Sequence, residues 1–320
     1  MAASVGCLAF AATVAAVDAV DAAPWPSRPI RLIVPFATGT WVDVASRLLG
    51  AKLADALGQS VIIDNRPGAS GNLASELVAS SAPDGYTLLN GGVFITVLPA
   101  INAPHAVDPE AFTPITRLTT APMLIVAHPS LHVSKLADLI ALARREPGQI
   151  AYATSGVGTT PHLAAMLLSQ RAGIDLLHIP YANTNAALRD VVAGEVRVMF
   201  TFLGTADAFL RSGALVPLAV TSATRDAAWP EIATVAEQGF PGYEVTTWSG
   251  LLAPSGLPPE IVDRLYRECA RILELPEVRK KLLAMGNDPV GSTPEQFAAQ
   301  IKADRLRWKE IATRANIRAE

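Results

Sequence analysis

The sequence predicts an α/β protein that folds into two lobes with a cleft between them. Its 320 residues suit two domains of ordinary size. After Pro29, short aliphatic runs alternate with stretches of helical periodicity, and this alternation forms two separate series that divide near Pro129. Open α/β sheets bind ligands beyond the carboxyl ends of their strands, so we expect a binding site in the cleft.

The first series has the order β-α-β-α-β, which predicts a parallel sheet with helices on its faces. The first strand is an apolar run typical of a strand buried on both faces, and the first helix stops at Gly58. The predicted elements are strand Ile30–Pro35, helix Val44–Leu57, strand Val61–Ile63, helix Leu73–Ala79 and strand Thr87–Leu89.

The second series repeats this alternation and is followed by an extended run and three helices. Its predicted elements are helix Lys135–Arg145, strand Ile150–Ala153, helix Leu163–Gln170, strand Leu176–Pro180, helix Ala186–Val192 and strands Val196–Phe202 and Leu215–Val220. The segments after it are the extended run Tyr243–Ala253 and helices Glu260–Leu273, Pro276–Met285 and Pro294–Ala315.

The N-terminal segment is apolar over Ala2–Val17 and ends in small residues, which predicts a secretory signal peptide over residues 1–22. No Lys or Arg precedes the apolar run, and a buried N-terminal helix is the alternative. Removal of this leader would take Cys7 with it. The remaining Cys269 falls on the apolar face of a predicted helix, as a core cysteine does. We therefore expect no intrachain disulfide and a periplasmic protein.

Two strand-loop-helix turns have the composition of anion-binding sites. The first runs from Pro35 to Asp43 and the second from Thr154 to His162. Glycines allow close approach of the backbone, helix starts leave unpaired N–H groups, and Ser and Thr hydroxyls add donors. Such turns can hold a carboxylate without Arg or Lys. The alternative is that their Thr and Asp residues only cap helices, and His162 is then a structural hydrogen-bonding residue.

Other classes of function lack support in the sequence. The net charge of −3 and the absence of a Lys/Arg run argue against a nucleic acid partner. Gly156-Val157-Gly158 lacks the third glycine of a dinucleotide fingerprint, and there is no phosphate-loop motif. The five histidines are scattered. We predict no catalytic residues, no cofactor and no metal site.

Several sequence blocks together form a recognisable pattern: Pro29–Phe36 with Gly39 and Asp43, Asn65–Asn72, Ala82–Leu89, Ser155–Thr159 with His162–Ala164, His178–Tyr181, Leu218–Ser222, Thr234–Glu237 and Trp248–Pro254. These blocks resemble the Bug family, the extracytoplasmic receptors of tripartite tricarboxylate transporters. They occur in the family's order over nearly everything after the leader.

The resemblance implies a two-lobed periplasmic-binding-protein fold of the Venus flytrap, type II-like kind, with two crossovers between the lobes. It implies one lobe formed by residues 24–126 and 247–320, and a second formed by 127–246. It also implies a small carboxylate ligand, held by the two loops partly through water. The implied contacts are Thr38, Gly39, Thr40 and Asp43 from one lobe, and Ser155, Gly158, Thr159 and His162 from the other.

The chain departs from the family pattern where aromatic residues replace small or polar ones. Trp41 lies in the first loop, where the family has a glycine pair, and Thr201-Phe202 stands where it usually has Asp-Asn. Phe94 follows another predicted strand, and we place it on a loop near the cleft. These rings predict an aromatic or flat carboxylate, with a short aliphatic dicarboxylate as the second choice. The alternative is that the rings fill the cores of the lobes.

The resulting functional hypothesis is a monomeric receptor, not an enzyme, that delivers a carboxylate to the membrane permease of a tripartite tricarboxylate-type transporter. One alternative is a receptor that signals to a sensor kinase. A less favoured alternative is a cleft enzyme that acts on a small carboxylate, which would need a nucleophile and a base in contact across the cleft.

Overall fold

The computed structural model describes residues 25–181, 184–226 and 228–314. The predicted leader and Cys7 lie outside these ranges. The strands are β1 (Ile30–Val34), β2 (Val61–Asn65), β3 (Thr87–Gly92), β4 (Phe112–Ala127), β5 (Ala151–Thr154), β6 (Leu177–Pro180), β7 (Val198–Phe202), β8 (Val216–Val220), β9 (Thr246–Pro254) and β10 (Asp288–Pro289). The helices are α1 (Trp41–Leu57), α2 (Asn72–Ala79), α3 (Phe94–Ala100), α4 (Leu136–Arg145), α5 (Thr160–Ala172), α6 (Thr184–Val192), α7 (Leu203–Arg211), α8 (Pro259–Leu273), α9 (Pro276–Ala284) and α10 (Pro294–Arg314).

The strands form a mixed, curled sheet in the order β2-β1-β3-β9-β4-β7-β5-β6, with β8 and β10 also paired to β4. Strand β1 is parallel to β2 and β3, and β5 is parallel to β6 and β7. The two parallel series predicted from the sequence are therefore confirmed. The antiparallel strands β4 and β9 join these series in the middle of the sheet.

Strand β4 belongs to both halves of the molecule. Residues Phe112–Pro122 pair with β9, and Met123–Ala127 pair with β7 and β8. The chain returns to the first half at Thr246, where β9 begins. We call the half around β1, β2, β3, β9 and β10 the first lobe, and the half around β5, β6, β7 and β8 the second lobe. The predicted boundaries at 126/127 and 246/247 stay predictions.

Each lobe has its own apolar core, and a third cluster joins them. The first-lobe cluster includes Leu49 and Leu265 together with Cys269, whose side chain is buried as predicted. The second-lobe cluster includes Met199 and Val220. The joining cluster contains residues from both lobes, so the lobes are in contact. Among the helices of the described ranges, none is both long enough and apolar enough to span a bilayer.

Several element boundaries predicted from the sequence were wrong at the loops. Helix α1 begins at Trp41 rather than Val44, and α5 begins at Thr160 rather than Leu163, because the residues of the first turn precede the regular apolar spacing from which each helix was predicted. Phe94 is not on a loop but begins helix α3, whose sequence is apolar except for Thr96 and has no helical periodicity. Strand β4 was missed because Pro114 and Pro122 argue against a strand.

Candidate functional site

A small cavity lies between the lobes at the carboxyl ends of β1, β3, β5 and β7. The volume open to the centres of water-sized spheres is about 50 Å³, which is room for a few water molecules. Its walls are formed by Phe36, Thr40, Trp41, Val42, Asn90, Gly91, Gly92, Val93, Phe94, Ser155, Thr159, Thr160, Pro161, Thr184, Phe202, Thr247, Trp248 and Ser249. Of the predicted residues, Thr40, Trp41, Phe94, Ser155, Thr159 and Phe202 line it.

Two long helices begin at this cavity, one from each lobe. Helix α1 follows Thr40 and helix α5 follows Thr159, and both residues have the extended backbone of an N-cap. Neither N-cap side chain makes a capping hydrogen bond. The first backbone N–H groups of a helix have no intrahelical partner, and the helix dipole favours an anion there. The cavity thus has two anion-attracting helix starts on opposite walls.

The hydroxyl groups of Thr40, Thr159 and Ser155 differ in whether they bond to the backbone of their own loop. Thr40 Oγ1 donates to the carbonyl of Ala37 at 2.8 Å, and Thr159 Oγ1 donates to the carbonyl of Gly156 at 2.7 Å. These hydroxyl hydrogens are used to hold the turns in shape and are not free for a ligand. The Ser155 hydroxyl makes no hydrogen bond within the described residues, and it lines the cavity. Of these three loop hydroxyls, Ser155 is therefore the one whose hydrogen is available to a carboxylate.

The Asp43 carboxylate holds the first loop from inside the protein rather than lining the cavity. It accepts hydrogen bonds from Gly39 N, from Asn65 Nδ2 and from Arg47, each at 2.9 Å. Burial disfavours ionisation of Asp43, but the hydrogen bonds from Arg47, Gly39 and Asn65 outweigh it and lower the pKa of this carboxyl. Thr38 lies on the exposed outer side of the same loop. The structure therefore places Thr38, Gly39 and Asp43 around the loop but not on the cavity wall.

His162 supports the second loop in a similar way. Its Nδ1 accepts a hydrogen bond from Gly158 N at 3.2 Å, and its ring stacks on His178 with centroids 4.3 Å apart. Burial lowers the pKa of His162 to about 3, with a further contribution from His178, and burial lowers the pKa of His178 to about 4. Both rings are therefore neutral near pH 7. Neither His162 nor Gly158 lines the cavity, and both set the shape of its wall.

The low pKa values of His162 and His178 predict that the free energy of unfolding decreases as the pH is lowered. A histidine with a pKa of about 6.5 in the unfolded chain takes up a proton below that pH, while buried His162 does not, so the unfolded state gains stability as pH falls. We expect His162 alone to lower the free energy of unfolding by about 1.6 kcal/mol between pH 6.5 and pH 5. Urea unfolding at several pH values measures this, and His162→Gln should flatten the profile. An unchanged slope in His162→Gln would contradict the assignment.

Aromatic side chains form the apolar part of the cavity wall. The rings of Trp41 and Phe202 touch across the two lobes with centroids 5.4 Å apart, and Phe36 meets Phe94 edge-on at 6.0 Å. Phe94 and Phe202 are also members of the cluster that joins the lobes. Phe202 is the last residue of β7, at the end of the strand predicted over Val196–Phe202. Its neighbour Thr201 is fully buried and does not line the cavity.

Two hydrogen bonds cross between the lobes beside the cavity. Ser70 Oγ donates to the carbonyl of Val157 at 2.7 Å, and Thr160 Oγ1 donates to Thr247 Oγ1 at 3.2 Å. Together with the Trp41–Phe202 contact, they show that the cleft is closed in this structure.

Asn90 and the β9 segment Thr247–Ser249 also line the cavity but were not predicted from the sequence. Asn90 follows the predicted strand Thr87–Leu89, so the rule that ligands lie beyond strand ends could have identified it. The β9 segment reaches the cavity from an antiparallel strand, where that rule gives no signal.

Comparison of the sequence with known proteins identifies a matching protein family and a similar member of it. The sequence matches the "Tripartite tricarboxylate transporter family receptor" over residues 45–317. Protein BugT of Bordetella pertussis is 34% identical over 308 residues, which cover 94% of each chain.

Two solved structures from Rhodopseudomonas palustris are similar over their whole length. Rpa4515 with adipate is 36% identical, with a TM-score of 0.86 over 92% of this chain and 99% of that one. MatC with bound malate is 31% identical, with a TM-score of 0.84 over 90% of this chain and 99% of that one. With its two-lobed periplasmic-binding-protein fold, the chain belongs to the family of tripartite tricarboxylate transporter receptors, which includes the Bug proteins.

Proposed function

We propose that this protein captures a small carboxylate in the interlobe cavity and delivers it to the permease of a tripartite transporter. The observation that carries the proposal is the meeting of the α1 and α5 N-termini, without capping side chains, at one cavity between two lobes. The relatives with adipate and malate support a carboxylate as the ligand. The protein is then a periplasmic monomer from which residues 1–22 are removed, and it binds its ligand without transforming it.

Neutral donors are sufficient for this binding. The residues that line the described cavity include no Lys or Arg. A micromolar complex needs about −8 kcal/mol, and a hydrogen bond to a charged group contributes roughly 1.5–3 kcal/mol. Four to six such bonds, from the helix N–H groups and Ser155, reach that figure before the cost of association. Since each lobe supplies only part of the donors, ligand binding favours the closed cleft.

The wall chemistry favours an aromatic or otherwise flat carboxylate. Trp41 and Phe202 already touch each other, so a ligand ring would lie against this pair and against Phe36 and Phe94 rather than between them. An aromatic contact of this kind is worth about 0.5–1.5 kcal/mol beyond area burial. A short aliphatic dicarboxylate is the second candidate, and the adipate and malate complexes of the relatives favour it.

Titration with a panel of acids tests the proposal. We expect benzoate or phthalate to bind more tightly than succinate or adipate, with a change in tryptophan fluorescence. Trp41→Ala should weaken the aromatic acids by roughly 2- to 10-fold, because one aromatic contact is lost. Trp229→Ala is the matched control, since Trp229 donates to Asp207 in the second lobe and does not line the cavity.

The outcomes separate the two parts of the proposal. If succinate or adipate binds and no aromatic acid does, the aromatic preference is wrong and the receptor function stands. If no carboxylate raises the thermal midpoint or binds in calorimetry, the proposed function is wrong, because a ligand of the folded state must stabilise it.

A further inference from the structure

Asn90 is the one buried side chain of the described cavity wall whose polar oxygen has no hydrogen-bond partner. The residue lies near the end of β3 and is 0% exposed to solvent. A buried acceptor without a donor destabilises the folded state, because its hydrogen bonds to water are lost and no protein group replaces them. Because Asn90 belongs to the cavity wall, an occupant of the cavity is the candidate source of the missing donor.

The orientation of the Asn90 side-chain amide is fixed by its hydrogen bond to Ser46. Ser46 Oγ donates to the carbonyl of Val42 at 2.7 Å, which uses its only hydrogen. The same oxygen accepts from Asn90 Nδ2, also at 2.7 Å. This chain of hydrogen bonds directs the NH₂ group of Asn90 towards Ser46 and leaves Oδ1 on the other side.

The neighbouring hydroxyls of the cavity do not satisfy Asn90 Oδ1. The hydrogens of Thr40 and Thr159 go to backbone carbonyls, and that of Thr160 goes to Thr247. A carboxylate group has no hydrogen to donate either, and it would be repelled by the partial negative charge of Oδ1. The acceptor and the two helix N-termini therefore suit different parts of one ligand.

We infer that Asn90 selects a carboxylate that carries a second, neutral hydrogen-bond donor, such as a hydroxyl group. This inference rests on the proposed function and narrows its ligand class to hydroxylated acids. The carboxylate lies at the helix starts, and the hydroxyl donates to Asn90 Oδ1. An acid without the hydroxyl leaves the buried acceptor unpaired and binds more weakly, as in other sites built to bond a ligand hydroxyl.

Calorimetry with matched pairs of acids tests this directly. The probes are benzoate against its 2-, 3- and 4-hydroxy derivatives, and succinate against malate. For the wild type we expect at least one hydroxylated acid to bind about 10- to 100-fold more tightly than its parent. Amino-substituted benzoates distinguish a hydroxyl preference from a preference for any neutral donor.

Asn90→Leu removes the acceptor at similar volume and should reduce the preference within each pair to roughly twofold or less, since no polar partner remains. Ser75→Ala is the control, because Ser75 is equally buried but bonds to Gly71 O outside the cavity. The ratio within a pair cancels any general loss of affinity. Should Asn90→Leu fail to fold, Asn90→Ala and the wild-type ratios give the same comparison.

Equal affinities within every pair, for a wild type that binds these acids, would overturn the inference and leave the receptor function intact. A hydroxyl preference that survives in Asn90→Leu would also overturn it, because another group would then be responsible. If none of the acids binds, the proposed function fails and the inference fails with it.

Discussion

Gly204→Ala is expected to weaken carboxylate binding by about 5- to 150-fold without lowering the stability of the second lobe. Gly204 lies in helix α7 of the second lobe, and a Cβ there would collide with the backbone carbonyl of Met285 in the first lobe. Relief of such a clash costs about 1–3 kcal/mol when it is met by a backbone shift. Here the cheapest shift is an opening of the cleft, so the closed form loses population and the apparent affinity falls in proportion.

Two features make Gly204→Ala a specific test of whether the cleft between the lobes must close on the ligand. Alanine favours a helix over glycine by roughly 1 kcal/mol, so the lobe itself should not be destabilised. Ala208→Gly makes the opposite change at an exposed position of the same helix and should leave affinity unchanged. Calorimetry gives the affinities, and small-angle scattering should show a larger particle for Gly204→Ala in the presence of ligand. Wild-type affinity in Gly204→Ala would show that binding does not require this closed cleft.

Asp43→Ala is expected to reduce both stability and ligand affinity. The variant leaves Gly39 N–H, the Asn65 amide and the Arg47 guanidinium without their common acceptor. Loss of such a buried, multiply bonded carboxylate costs about 2–4 kcal/mol in the free energy of unfolding. Affinity should fall too, because the first loop loses the bond that sets its turn.

Urea unfolding and calorimetry measure the two effects. Asp138→Ala is the matched control, since Asp138 accepts from Ser134 and Lys135 at the exposed start of α4, away from the cavity. Its loss should destabilise the protein less than Asp43→Ala does and should leave affinity unchanged. The pKa of Asp43 lies below its value in the unfolded chain. The stabilisation is therefore present above the unfolded pKa, and the difference between wild type and variant should shrink as pH falls through the folded pKa. A constant difference at low pH would argue against the carboxylate as its source.

The parts of the fold that the sequence could predict are those with a strong local signal. Helices α1 and α5 were found from their apolar spacing, and β1 from its continuous apolar run. Strand β4 could not be found, since its two prolines argue against a strand and only pairing with β9 and β7 overrides them.

The same limit applies to the candidate site. Both loops were identified, because glycines and hydroxyl residues before a helix mark an anion site locally. Which residue of a loop lines the cavity and which supports it depends on contacts distant in the chain, such as Asp43 with Asn65 or Ser70 with Val157. Asp43 and His162 were therefore predicted as ligand contacts but lie behind the wall in this structure.

The partner change of β4 between Pro122 and Met123 has a consequence for how the molecule can be divided. Because one uninterrupted strand completes the hydrogen bonding of both halves, assigning the whole of β4 to one lobe would leave an unpaired edge on β9 or on β7 in the other. The two lobes are thus not interchangeable modules that could be expressed apart or exchanged between related receptors as single blocks. A chimaera of two such receptors would have to keep β4 and β9 from the same parent.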